Sequence, residues 1–185
     1  AIISNMYHLL MKPGVDIIER AGGLHEFMNW DGIIFTDSGG FQMIRKGFDQ
    51  EFCTDGVKFR NDHDGSIHEM TPEKNIDIQK RLGSDISMCL DYCPPYPSDE
   101  DTLMDSLQKT TTWAERCKDS SENLFGISQG GTNSSLRRRS CEEIKEIGFD
   151  GYALGGLSIG EPIDKMYRMI EIADEVYPRD KPRYV

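Results

Sequence analysis

The sequence has 185 residues, 37% of them hydrophobic, which is enough for one domain with a core of its own. Its 21 Lys and Arg against 32 Asp and Glu leave a net charge of -11, which argues against a strong, non-specific grip on phosphates. No apolar stretch approaches the ~20 residues of a membrane helix, and no charged start followed by a long apolar segment marks a signal peptide. Ala1 opens straight into an apolar run, so a fragment or a processed product is expected. The five cysteines (Cys53, Cys89, Cys93, Cys117 and Cys141) form an odd, scattered set, which points to a reducing, cytoplasmic setting. Cys89 and Cys93 have the spacing of a metal pair, but no second pair or suitable His follows. A strand-end origin is the preferred reading, and no metal site is expected.

In chain order, Ala1–Leu10 begins with a short apolar run. Past Pro13-Gly14, a helical pattern at Val15, Ile17, Ile18 and Ala21 is closed by Gly22-Gly23. Ile33-Ile34-Phe35 reads as a buried strand ending in Thr36-Asp37-Ser38-Gly39-Gly40. The segment 51–73 then carries short alternating runs around Thr54-Asp55-Gly56 and His63-Asp64-Gly65, which read as hairpin turns. Thr71-Pro72-Glu73 opens a helix running to Gly83, with Thr as N-cap and Pro in its first turn. A strand over 85–90 ends at Asp91, and a helix spans about 100–118. The strand 124–128 ends at Gln129-Gly130-Gly131, and a helix follows over about 134–147. The strand 152–154 ends at Gly155-Gly156, a helix spans 163–176, and 182–185 begins a last strand. The run Arg137-Arg138-Arg139 falls on a helix, where it reads as a solvated face.

Six strands alternating with five helices imply a parallel sheet with helical crossovers in a single domain, 1–185. A (β/α)8 barrel needs eight strands, so the pattern predicts a partial barrel with an antiparallel insertion at about 51–73. An open flavodoxin-like sheet is the rival, although it would need a phosphate loop after its first strand, and none is present.

The polar and glycine-rich residues gather at the C-terminal ends of the strands. Asp37 and Asp91 can accept hydrogen bonds or act as acid or base. Gln129 offers a carboxamide, and Gly155-Gly156 offer backbone groups that a ligand can approach. Singly, each reads equally well as a turn or a cap. Repeated at consecutive strand ends, they suit a planar heterocycle rich in donors and acceptors, such as a guanine-like base. A phosphate cradle fits less well, because no Lys, Ser or Thr follows the glycines at P-loop spacing.

Several blocks closely resemble the tRNA-guanine transglycosylase family: Asn5-Met6-Tyr7-His8-Leu9-Leu10, Gly22-Gly23-Leu24-His25-Glu26-Phe27-Met28 and Thr36-Asp37-Ser38-Gly39-Gly40-Phe41-Gln42. The resemblance continues through Leu82-Gly83-Ser84-Asp85, Gln129-Gly130-Gly131, Gly148-Phe149-Asp150-Gly151-Tyr152-Ala153 and Gly155-Gly156-Leu157-Ser158-Ile159-Gly160-Glu161, in the family's order. It implies a (β/α)8 TIM barrel with an inserted antiparallel segment, and exchange of guanine in tRNA for a 7-deazaguanine by double displacement at ribose C1′. On that resemblance Asp37 is the proton-handling acid and Phe41 the aromatic that stacks on the base. Ser38 and Cys93 belong to the base pocket, Asp91 and Gln129 bind the heterocycle's edge, Gly156 and Leu157 are its backbone partners, and Glu161 orients that backbone.

The resemblance also places the nucleophilic aspartate, the Cys/His zinc site and its basic surroundings downstream of Val185, and an opening strand before Ala1. The chain alone is therefore expected to be inactive and to hold no cofactor, zinc belonging to the complete family enzyme. The two open sheet edges are expected to drive self-association into a homo-oligomer. Gly39-Gly40-Phe41-Gln42 and Gly155-Gly156-Leu157 resemble the type that modifies the wobble position with preQ1 or queuine. Cys93 and Ile159 would crowd a queuine side group, which favours preQ1. The alternatives are an archaeosine-type enzyme acting on the D-loop with preQ0, and a non-catalytic tRNA- or base-binding subunit.

Overall fold

The computed structural model describes residues 1–45, 51–61 and 64–185, with residues 44, 45 and 51 described by backbone alone. The elements run β1 (Ile2–Asn5), α1 (Met6–Met11), α2 (Val15–Arg20), α3 (Leu24–Met28), β2 (Ile34–Asp37) and α4 (Gly40–Arg45). Then come β3 (Glu51–Cys53), β4 (Gly56–Arg60), β5 (Ile67–Met70), α5 (Pro72–Arg81), β6 (Ser87–Met88) and α6 (Glu100–Cys117). The chain ends with β7 (Leu124–Ser128), α7 (Ser134–Ile147), β8 (Gly151–Leu154), α8 (Ile163–Val176) and β9 (Arg183–Tyr184).

Local chemistry explains most of these boundaries. Gly22 and Gly23 end α2 with the paired bonds of a Schellman turn, Gly23 N–H to Ile18 C=O (3.0 Å) and Gly22 N–H to Glu19 C=O (3.0 Å). The Thr71 side chain accepts from Lys74 N–H at the start of α5, with Pro72 at its first position. Asp99 and Asn133 cap α6 and α7 in the same way. Helix α6 buries Leu103, Leu107, Thr110, Trp113, Ala114 and Cys117, a stripe at helical spacing. Three short helices (α1, α3 and α4) arise where the sequence pattern predicts only loop or strand. Each has only five or six residues.

β1 and β2 pair in parallel, and so do β6, β7, β8 and β9 in that order. A parallel bridge between Phe35 and Ile86 joins the two sets, through Thr36 N–H to Ile86 C=O (3.0 Å) and Ile86 N–H to Ile34 C=O (3.2 Å). Six parallel strands thus follow one another without a reversal of order. This excludes the flavodoxin-like arrangement, which turns back on itself. The array is strongly curved. Phe35 on β2 lies 5.1 Å from the Tyr184 ring on β9, although a flat sheet would separate their strands by roughly 19 Å. The array stays open, with β1 and β9 as its outer strands, so no closed barrel forms among the described residues.

β3, β4 and β5 form the expected antiparallel segment. Its first turn is Thr54-Asp55, closed by the Cys53–Gly56 pair. The second turn is described only from Asp64 onward, and His63 lies outside the described residues. No helix among the described residues is long and apolar enough to cross a membrane.

Candidate functional site

The carboxyl ends of β2, β6, β7, β8 and β9 surround a cleft of about 290 Å³, the small end of the range for ligand sites. It is lined by Asp37, Ser38, Phe41, Asp91, Cys93, Gly156 and Leu157, all of them picked out in the sequence. Gln129 and Glu161 are not on its surface but stand behind it. A larger hollow of about 720 Å³ between α6 and α7 is lined by Glu115, Glu143 and Glu146 and lacks any comparable convergence of groups.

Asp37 ends β2 opposite its register partner Asn5, which ends β1. The Asn5 Oδ1 caps α1 by accepting from His8 N–H (3.1 Å). That fixes the amide so that Nδ2 donates to Asp37 Oδ2 (2.9 Å), while Gly39 N–H donates to Oδ1 (3.1 Å). Burial raises the Asp37 pKa, and these hydrogen bonds oppose the shift.

Asp91 lies three residues beyond β6 and is only 5% exposed. Ser38 Oγ donates to its Oδ1 (2.8 Å) and Gln129 Nε2 to its Oδ2 (2.6 Å). Burial drives its pKa up to about 6; the bonds from Ser38 and Gln129 pull it down and the Asp37 charge adds to the rise. The approach is so tight that a Cβ on residue 40 would sit 2.5 Å from both the Asp91 carbonyl and carboxylate oxygens, so only glycine fits there. The Gln129 Oε1 is buried without a partner among the described residues. A Cβ on residue 156 would come within 2.7 Å of that oxygen.

A buried polar network that the sequence reading missed holds these groups in place. Asn75 Nδ2 on α5 donates to Ser38 C=O (2.7 Å), and its Oδ1 accepts from Gln79 Nε2 (2.6 Å). Gln79 in turn accepts from Met88 N–H (2.9 Å) and donates to Met88 C=O (2.8 Å), taking the place of a neighbouring strand. Asn75 and Gln79 stand at i and i+4 among the buried residues of α5, a signal that was present in the sequence. Met88, Ile127, Leu154 and Tyr184 supply the apolar lining, one from each of β6 to β9.

The remaining candidates are placed as follows. Burial pushes the Cys93 thiol up to about 12, so it is a neutral lining group. Glu161 accepts from Ser158 N–H (2.5 Å) and Ile159 N–H (2.9 Å), closing the turn after Leu157 rather than touching Leu157 itself. Although burial acts to raise the Glu161 pKa, the Ile159, Glu161 and Ser158 backbone groups hold it below the usual value. Cys89 is buried against Cys117, with the sulfurs 3.2 Å apart, and is no metal partner of Cys93. Among the described residues no group of three or more His, Cys, Asp or Glu side chains is placed to hold a metal ion, so the zinc implied by the resemblance finds no ligand set there.

The arginine run is not a single solvated face. Arg137 is fully buried, whereas Arg138 is half-buried and Arg139 exposed, and they pair with Glu175 and Glu143. The helix register decides this, since position 137 shares a stripe with Ser140, Cys141 and Ile144. Other arginines are also matched: Arg81 by Asp16 and Glu19, Arg116 by Glu73, Arg168 by Glu171 and Arg183 by Asp174.

The chain is thus a mixed α/β protein with one buried acid, Asp91, and one half-buried acid, Asp37, at a cleft of about 290 Å³ beside its strand ends. Comparison with known sequences narrows the class. A family profile described as queuine tRNA-ribosyltransferase matches residues 1–185, and the chain belongs to that family. Curated proteins named queuine tRNA-ribosyltransferase from Acetivibrio thermocellus and Caldanaerobacter subterraneus subsp. tengcongensis are each 51% identical to it over 189 residues, and one from Staphylococcus aureus strain bovine RF122 is 49% identical. Each alignment covers 100% of this chain and 50% of the relative, so the chain spans about half the length of the proteins it matches.

Proposed function

We propose that the chain carries the base-recognition part of a tRNA-guanine transglycosylase, which exchanges guanine in tRNA for a 7-deazaguanine. The observation that carries this reading is Asp91: a buried carboxylate, held by Ser38 and Gln129, faces a cleft that Asp37 also enters. Ionised, Asp91 accepts from the adjacent N1–H and 2-amino groups of a guanine-type edge. The Gln129 Oε1 and the Gly156 and Leu157 backbone complete the polar frame, and Phe41 stacks on the ring.

The reaction we propose is double displacement. A carboxylate attacks ribose C1′, the bond from C1′ to guanine breaks, and the incoming base then displaces the carboxylate. Asp37, whose proton affinity burial raises, gives a proton to the leaving guanine and takes one from the incoming base. The attacking carboxylate comes from sequence beyond Val185, because Asp37 fits the proton-handling role. That sequence also supplies the strands that close the (β/α)8 barrel, the zinc site and the cationic surface for tRNA; the ion-paired arginines of this chain favour a tRNA grip located elsewhere. The base we favour is preQ1, since Cys93 and Ile159 line the cleft and leave little room for a larger substituent. The target nucleotide, at the wobble position, must be unstacked to enter. We place the protein in the cytoplasm as a homo-oligomer, and expect this chain alone to associate through its open sheet edges.

A second reading is a non-catalytic base- or tRNA-binding subunit. Exchange of radiolabelled guanine into tRNA separates the two. The proposal predicts no exchange by this chain alone and exchange when the other half is supplied. Exchange by the chain alone would make Asp37 the nucleophile, and silence in both cases would leave the binding subunit.

A further inference from the structure

Arg137 is 0% exposed, and among the described residues its guanidinium is hydrogen-bonded to no carboxylate. Nη1 donates to Ser128 C=O (2.9 Å), and Nη2 donates to Gly131 C=O (3.0 Å) and Gly155 C=O (2.7 Å); Nε has no partner among the described residues. These three carbonyls lie at the ends of β7 and β8 and in the loop between β7 and α7. A buried cation among neutral acceptors is a poor way to stabilise a fold, because an aliphatic side chain of similar volume often does as well or better. Its bonds are better explained by what they hold.

A trans peptide is planar, so a C=O and the N–H that follows it point in opposite directions. With Ser128 C=O turned to Arg137, the Gln129 N–H faces Ser140 Oγ and donates to it (2.9 Å). With Gly155 C=O on the same guanidinium (2.7 Å), the Gly156 N–H faces away from Arg137, and Gly156 lines the cleft together with Cys93. Ser128 C=O also accepts from Gly155 N–H (2.8 Å), so both strand ends are tied to one another and to the arginine.

We propose that Arg137 is a positioning residue: its guanidinium sets the peptide planes ahead of Gln129 and Gly156, so that the Gly156 N–H meets the edge of the base and the Gln129 carboxamide holds Asp91 from behind. The assignment rests on the base-recognition reading above. Lysine cannot reproduce it, because a single ammonium lacks the flat fork that reaches three divergent carbonyls.

The test compares Arg137→Met, Arg137→Lys and the surface control Arg138→Ala with the unaltered protein. Three readouts are taken: guanine and 7-deazaguanine affinity by calorimetry, the Gly156 amide resonance and its hydrogen exchange by NMR, and thermal melting. Arg137→Met is expected to melt cooperatively, to bind base about tenfold or more weakly, and to show a shifted, faster-exchanging Gly156 amide. Arg137→Lys falls between Arg137→Met and the unaltered protein, and Arg138→Ala matches the unaltered protein. Unchanged affinity with an unchanged Gly156 amide in folded Arg137→Met overturns the assignment. If Arg137→Met does not fold, the same readouts on Arg137→Lys decide, unchanged values again overturning it. If the unaltered protein binds neither base, the base-recognition reading fails, and the Gly156 amide alone then decides whether Arg137 positions it.

Discussion

The two carboxylates of the cleft are supported in different ways. Asp37 sits at the margin and is held by a side-chain amide on the neighbouring strand and by a backbone N–H two residues on. Asp91 sits at the floor, is 5% exposed, and is held by two neutral side chains from other strand ends. The donors to Asp91 lower its proton affinity, but its full burial outweighs them and leaves the pKa raised. One carboxyl environment suits proton transfer and the other suits recognition, and the contrast comes from where each strand ends.

The largest effect should be on pH-dependent stability. The Asp91 pKa rises from 3.8 to about 6 on folding, so the folded state favours its protonated form. The stability linked to this group is fully present below about pH 4 and is lost as pH rises toward 6; at pH 7 the loss amounts to about 3 kcal/mol. Urea unfolding between pH 4 and 7 should show a decline that Asp91→Asn removes. Base binding should move the other way, strengthening as Asp91 ionises. A shared decline of both would break the distinction between the two acids.

Gly40→Ala comes next. The added Cβ would press on the Asp91 main chain and carboxylate, and overpacking of this kind costs about 2 kcal/mol. The change should also weaken base binding, read by denaturant unfolding alongside calorimetry. The smallest effect is expected from Asn5→Ala, which removes the cap of α1, worth about 1 kcal/mol, and one Asp37 hydrogen bond. NMR titration should find the Asp37 pKa raised further and that of Asp91 little changed. A large change at Asp91 instead would mean that the two supports are not separate.

The alternating strands and helices, their glycine stops and the positions of Asp37, Asp91 and Gln129 were legible because turn chemistry and apolar periodicity are local. Cross-strand support was not. Nothing in the residues around Asn75 or Gln79 says that the first holds the Ser38 carbonyl or that the second stands in for a strand edge beside Met88. Arg137 was misread with its two neighbours because a run of like charges suggests a surface, although its spacing from Cys141 and Ile144 placed it on the buried stripe. The curvature that brings Phe35 to Tyr184 also depends on the whole sheet.

Calorimetric titration of guanine into the protein and into its Asp91→Asn variant tests the central claim most directly. The account predicts saturable one-site binding to the unaltered protein and at least about a hundredfold loss in the variant, since a site built to hydrogen-bond a ligand rejects a mismatch strongly. Equal affinity for both would contradict it, because Asp91 would then not be the group that reads the base.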